Sequence, residues 1–185
     1  MNHDTSSTLL PDADGPFVAP RVFDEATVHT WVRELARLPE DLRAVARPLD
    51  DAQLDTSHRE GGWTLRQIVH HIADSHVNGF VRHKWALTED EPTIKAYVQD
   101  GWAGLPDSLE DVECSLDLLD ALHRRWTRLL LCLDEDDFLR GFVHPQSGPT
   151  TLGCNVAMYA WHGRHHLRQL ERTIVREGWT VALRG

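Results

Sequence analysis

Trp161-His162-Gly163-Arg164-His165-His166 is the stretch from which the rest of the chain can be read. In a helix, His162 and His166 stand four residues apart and lie one above the other on a single face. Two imidazoles so placed can hold one metal ion between them, and His-x3-His is the spacing that helical zinc sites use. Gly163 beside them lets another helix or a ligand come close. His165 points about 100° away from His166, toward solvent or an acidic neighbour. Any further ligand must come from another element, and the histidine-dense stretch around His70 and His71 is the obvious donor. The expectation is a metal site strung between two helices of a bundle.

The quoted stretch lies inside a predicted helix running from about Thr151 to Glu177. Val156, Tyr159, Gly163, Leu167, Leu170 and Ile174 mark its apolar stripe, and Gly178 is its stop. An earlier helix opens on a capping box, Thr64 with Gln67, preceded by Trp63 as a hydrophobic staple. It carries Leu65, Ile68, Val69, Ile72, Gly79 and Phe80 inward and extends to about Leu87, before Pro92. The first helix follows Asp24 as N-cap, with Val28, Trp31, Val32, Leu35 and Leu38 in phase. Pro39 predicts a kink or restart there, after which Leu42, Val45, Ala46 and Leu49 continue the stripe. Asp50 to Gly62 reads as a polar connector.

The third long helix is placed from Asp107 or Ser108 on the stripe Leu109, Val112, Leu116, Leu119, Trp126, Leu130 and Leu133. It is the most regular stretch and reads as a strut without chemistry, ended by Asp134-Glu135-Asp136-Asp137. Before it lies a loop of about 15 residues with Tyr97 and Trp102, a length that is often functional. After it, residues 138–150 predict a small hairpin or irregular loop. Four long helices without a credible sheet predict an all-α four-helix bundle. Residues 1–20, rich in Ser, Thr, Asp, Gly and Pro, read as a poorly ordered arm, and 21–185 as one domain.

The net charge of −10 argues against nucleic acid or an anionic membrane as a partner. No apolar run approaches the roughly 20 residues that span a bilayer. The N-terminus lacks a signal-peptide pattern, and three scattered cysteines suit a reducing compartment, so a cytoplasmic location is expected. Cys114, Cys132 and Cys154 are expected to be small buried hydrophobes.

Helical phase leaves the third ligand open among His70, His71, Asp74 and His76. His70 and His71 fall on opposite shoulders of the apolar stripe, while His76 lies nearer its centre, as a buried structural histidine does. His71 shares its face with Ile68, Ser75 and Asn78, and Asp74 could orient it or be a solvated carboxylate. His144-Pro145 suits a pocket mouth and a surface turn equally. Three neutral histidines would leave a fourth position on zinc open for water or substrate, as in catalytic sites.

Gly61-Gly62-Trp63-Thr64, His70-His71-Ile72-Ala73-Asp74-Ser75-His76, Thr93-Ile94-Lys95 and Tyr159 to His166 occur in an order that resembles the YfiT branch of the DinB superfamily. That family comprises bacterial four-helix bundles of metal-dependent-hydrolase type, related to bacillithiol S-transferases. The resemblance spans roughly residues 20–177. It implies His71, His162 and His166 as the metal ligands, with His71 chosen over His70. It implies a divalent metal, zinc first and nickel next, a small-molecule substrate and a homodimer. The reaction it implies is hydrolysis, or transfer of a low-molecular-weight thiol such as bacillithiol to a small electrophile, with a water or thiol activated at the metal. Family members often carry a further histidine where this chain has Arg168 and Gln169. From a different class, a non-catalytic metal-binding bundle for storage or sensing is the alternative, and a bundle with purely structural histidines is a third.

Overall fold

The computed structural model describes residues 15–180, and most of the arm expected over residues 1–20 lies outside them. Helix α1 spans Glu25–Ala46, and its N-cap Asp24 accepts from the Thr27 backbone N–H. Pro39 sits within this helix without ending it: the expected kink or restart is a single continuous helix. Helix α3, Leu65–Thr88, starts at the reciprocal Thr64–Gln67 capping box that its sequence predicts. Helix α5 spans Val112–Leu130 and helix α7 spans Leu152–Glu177, the latter closed by Gly178 at φ 67°. The bundle fold is therefore as expected.

Around the bundle the order is α1, α5, α3, α7: α1 packs on α5 and α7, and α3 packs on the same two. The consecutive long helices α1 and α3 are thus diagonal, as are α5 and α7. Both diagonal crossings carry extra structure. The connector Asp50–Gly62 contains a four-residue helix, α2 (Asp51–Leu54), with its own capping box from Asp50 and Gln53. Between α5 and α7 lie helix α6 (Glu135–Leu139), strand β1 (Gly141–His144) and strand β2 (Gly148–Thr151). β1 and β2 form the expected hairpin, with Gly141 opposite Thr151 and His144 opposite Gly148.

Several local expectations are corrected. Asp134 to Asp137 does not simply end a helix; Asp134 caps α6, and Asp137 completes the capping box. Leu109 lies before α5, in a 3₁₀ turn (Pro106–Leu109), and is exposed. The long loop after α3 contains a short helix, α4 (Gln99–Ala103), and is pinned to the hairpin by Ile94 N–H bonding to the Val143 carbonyl at 3.0 Å. Cys114 is exposed and Cys154 partly so, each off the apolar stripe of its helix, and Cys132 is exposed in the turn that follows α5. No helix among the described residues is long and apolar enough to cross a membrane.

Two apolar clusters fill the bundle. One gathers Leu38, Leu42, Leu65, Ile68, Ile72, Leu116, Leu119 and Leu170; the other gathers Val32, Leu35, Phe80, Trp126, Leu152, Val156 and Tyr159. Helices close in tightly here through glycines: a Cβ on Gly163 would stand 2.4 Å from a Leu38 methyl.

Candidate metal centre

His71 on α3 and His162 and His166 on α7 converge, each offering a ligand nitrogen within 4.8 Å of the others. The closest approach is His71 Nε2 to His162 Nε2, 3.2 Å. Two nitrogens bound to a tetrahedral zinc at about 2.0–2.1 Å stand roughly 3.3 Å apart, so this pair already has the spacing of one edge of such a site. Trp63 covers His71 from the side, with ring centroids 4.6 Å apart. The residue placed as a helix staple thus also forms a wall of the site.

Burial pushes all three imidazoles toward the neutral form, which is the form that ligates metal. It takes His71 down to about 4 and His166 down to about 3, and it lowers His162 well below the usual histidine range. Neighbouring imidazoles push His162 and His166 in the same direction.

Hydrogen bonds orient two of the rings. His166 Nδ1 donates to Gln169 Oε1 at 2.8 Å, leaving Nε2 as the free lone pair. The Gln169 amide also bonds His165 at 3.0 Å. His165 is not among the converging nitrogens, and it stacks on Trp161 in place of the solvent or acidic neighbour expected.

The orientation of His162 is set from much farther away. Leu35 carries a carbonyl to which Pro39, lacking an N–H, returns no helical bond. His123 Nδ1 donates to that carbonyl at 2.6 Å. His123 Nε2 is then the acceptor for His76 Nδ1 at 2.9 Å, and His76 Nε2 the acceptor for His162 Nδ1 at 3.3 Å. A carbonyl can only accept, so each link fixes the tautomer of the next. The chain ends with His162 Nε2 bare and turned toward His71. His76 and His123 are both essentially fully buried.

His70 is excluded by its own bonds. Its Nε2 donates to the Glu110 carbonyl at 3.1 Å and its Nδ1 accepts from the Ser115 hydroxyl at 2.8 Å, so no lone pair remains for a metal. Asp74 makes no hydrogen bond with His71; it is half-buried, and burial raises its carboxyl to about 6. His144 serves both of its readings: its ring accepts from the backbone of the following turn, and it lines a cavity beside His162. His123 was not anticipated, because α5 reads as a plain strut and a lone histidine on it carries no spacing signal.

The sequence profile of the DinB superfamily matches residues 34–170, and the chain belongs to that superfamily. It is 46% identical over 165 residues to proteins of Bacillus cereus (strain B4264) and Bacillus thuringiensis subsp. konkukian (strain 97-27), covering 89% of this chain and 95% of theirs. Both carry the name "putative metal-dependent hydrolase". Its fold matches that of YfiT from Bacillus subtilis with a TM-score of 0.88 at 39% identity, over 90% of this chain and 96% of that one. YfiT is described as "a probable metal-dependent hydrolase with an unusual four-helix bundle topology". Diagonal placement of consecutive helices fits that description.

Proposed function

We propose that this chain is a metal-dependent enzyme acting on small electrophilic substrates, with His71, His162 and His166 holding one divalent ion. The observation that carries the reading is the convergence of three imidazoles, His71 and His166 buried and His162 partly so, each kept toward its neutral, metal-ligating form by burial. Zinc suits three imidazoles best, and nickel is the next candidate. When bound, such an ion supplies Lewis acidity, which activates a coordinated water or thiol and polarises an electrophile.

The protein's own part is positioning and exclusion of water. Trp63 shields one side of His71, and Gln169 and His76 hold the other two rings at fixed angles. The set has three protein donors and no carboxylate, which suits a single ion with a position left for substrate better than a di-metal store. Hydrolysis is the reading supported by the relatives' names. Thiol transfer, with bacillithiol as the thiol, is supported by the cavity of about 600 Å³ beside His162, which has room for more than one small molecule.

The test has two stages. Elemental analysis of the purified protein should find about one metal per chain, lost in His71→Ala and His162→Ala; unaltered content in both variants removes the proposed site. Metal-loaded protein is then incubated with a small electrophile, with and without bacillithiol, and products are followed by mass spectrometry. Metal-dependent conjugation identifies the transferase, and turnover without thiol identifies the hydrolase. If neither occurs, the metal-binding module is what remains.

A further inference from the structure

The cavity beside His162 contains a charge that the protein does not neutralise. Arg82, on α3, lines it and is only 7% exposed. Arg66, on the same helix and 6% exposed, is held by Asp51 and Asp55 at 2.7 Å each. Arg82 has no such partner: among the described residues no carboxylate lies within ion-pair distance of it. Leaving a buried cation without an anion is costly, and a fold that pairs one buried arginine twice has the means to pair another.

The groups around Arg82 do not supply the missing charge. Burial raises the Tyr159 phenol to about 12 and raises Tyr97 as well, so both are neutral hydroxyls in the fold. Burial lowers His144, which Arg82 also disfavours as a cation. Two further polar atoms on the same wall are buried without a hydrogen-bond partner: the Tyr97 hydroxyl and Asn155 Oδ1. The first can donate and the second can only accept. One cavity thus presents a guanidinium whose only close partner is the neutral Tyr159 phenol, the Tyr97 O–H beside Ser75, and an amide oxygen without a donor.

We propose that this cavity binds the carboxylate of a small organic molecule, with Arg82 as its anchor, the Tyr97 hydroxyl as a second donor, and Asn155 accepting from a neighbouring N–H or O–H of the same molecule. A guanidinium fork matches a carboxylate in shape, and one cation balances one negative charge, whereas a phosphate dianion would leave charge uncompensated. As an account of the substrate, the proposal rests on the metal-centre reading, because His162 lines the same cavity and the rest of the molecule would extend toward it. As an account of binding it stands without the metal.

N-acetylglycine, which has a carboxylate next to an amide N–H, is the probe, with its methyl ester as neutral control and inorganic phosphate as the competing anion. Titration calorimetry on metal-free, full-length protein removes direct coordination from the readout. N-acetylglycine should bind, its ester should bind at least tenfold more weakly, and Arg82→Gln should weaken N-acetylglycine by at least tenfold while its metal content stays that of the wild type. Arg82→Lys, which keeps the charge and loses the fork, should fall between. Equal binding of ester and acid, unchanged binding by Arg82→Gln, or tighter binding of phosphate would each overturn the proposal. Should Arg82→Gln not fold, the ester comparison and Arg82→Lys decide it alone. His71→Ala separates the two readings: loss of metal with N-acetylglycine binding retained supports both, and retained metal sinks the metal centre while leaving the carboxylate site standing.

Discussion

Pro39 removes one N–H from α1, and the Leu35 carbonyl that this leaves without its helical donor anchors a line of three imidazoles across the bundle. His123, His76 and His162 are all assigned as the Nδ1–H tautomer by their order along that line. Long-range ¹H–¹⁵N correlation spectra of the metal-free protein should show protonated Nδ1 and bare Nε2 at His162; a protonated Nε2 there would refute the assignment. Replacing His123 by Phe strands the His76 N–H in the core, which costs about 1–3 kcal/mol of stability. It also frees the His162 ring to turn, so metal affinity should fall by about 10–100-fold, as it does when partners of other metal ligands are lost. A competition titration against a chromophoric chelator measures this. His123→Phe with unchanged affinity would show that the line is packing alone.

The long helices meet through residues too small to keep them apart, and the two closest meetings differ in what they touch. A Cβ on Gly79 of α3 would lie 2.5 Å from the Tyr159 ring and 2.7 Å from Trp126, both fully buried and rigid. At Gly163 of α7 the obstacle is a Leu38 methyl, the far end of a side chain that can rotate. Alanine gains about 1 kcal/mol of helix propensity at either site, set against an overpacking cost of about 1–3 kcal/mol. Gly79→Ala should therefore destabilise clearly, and Gly163→Ala should be near neutral. Urea unfolding checks the order: a lower midpoint for Gly163→Ala than for Gly79→Ala would contradict it. The short elements act at this scale too. Val143 of β1 bonds the Pro92–Ile94 segment on one side while the strand pairs β2 on the other, so hairpin and loop together wall the cavity.

For the whole molecule, burying so many histidines links stability to pH. His83 and His123 are held down to about 4, both chiefly by burial, against an unfolded value of 6.5. The unfolded chain takes up these protons first as pH falls. Their contribution is therefore complete above pH 6.5 and is lost as pH drops toward about 4, on the order of 3 kcal/mol each. Asp74, raised to about 6, and Glu171, also raised by burial, work in the opposite sense but are outnumbered by the buried histidines. Urea unfolding of metal-free protein should show stability falling steeply between about pH 7 and about pH 4.5; a flat profile would show that these imidazoles are hydrated in solution. Metal adds to the folded state by mass action, so a chelator should lower the melting temperature of wild-type protein and leave that of His71→Ala unmoved.

Much of this molecule is legible in its sequence because the signals concerned are local. Capping boxes, apolar stripes and the Gly178 stop depend on residues three or four apart, and they place α3, α7 and the start of α1 within a residue or two. The His162–His166 pair is legible for the same reason. Elements of four or five residues, α2, α4 and α6, are too short to show a period. Helical phase gives the face a residue occupies but not the face of another helix that opposes it. That is why phase alone could not choose between His70 and His71. The choice was carried by a resemblance, and the structure supplies its physical basis in the two bonds that consume the His70 lone pair and donor. The same limit hid the role of His123 and the lack of a carboxylate beside Arg82, since a partner's absence is a fact about space. The two inward-facing histidines of the Trp161–His166 stretch are determined by spacing; what they face is decided by four helices packing so that a carbonyl on α1 orients an imidazole on α7.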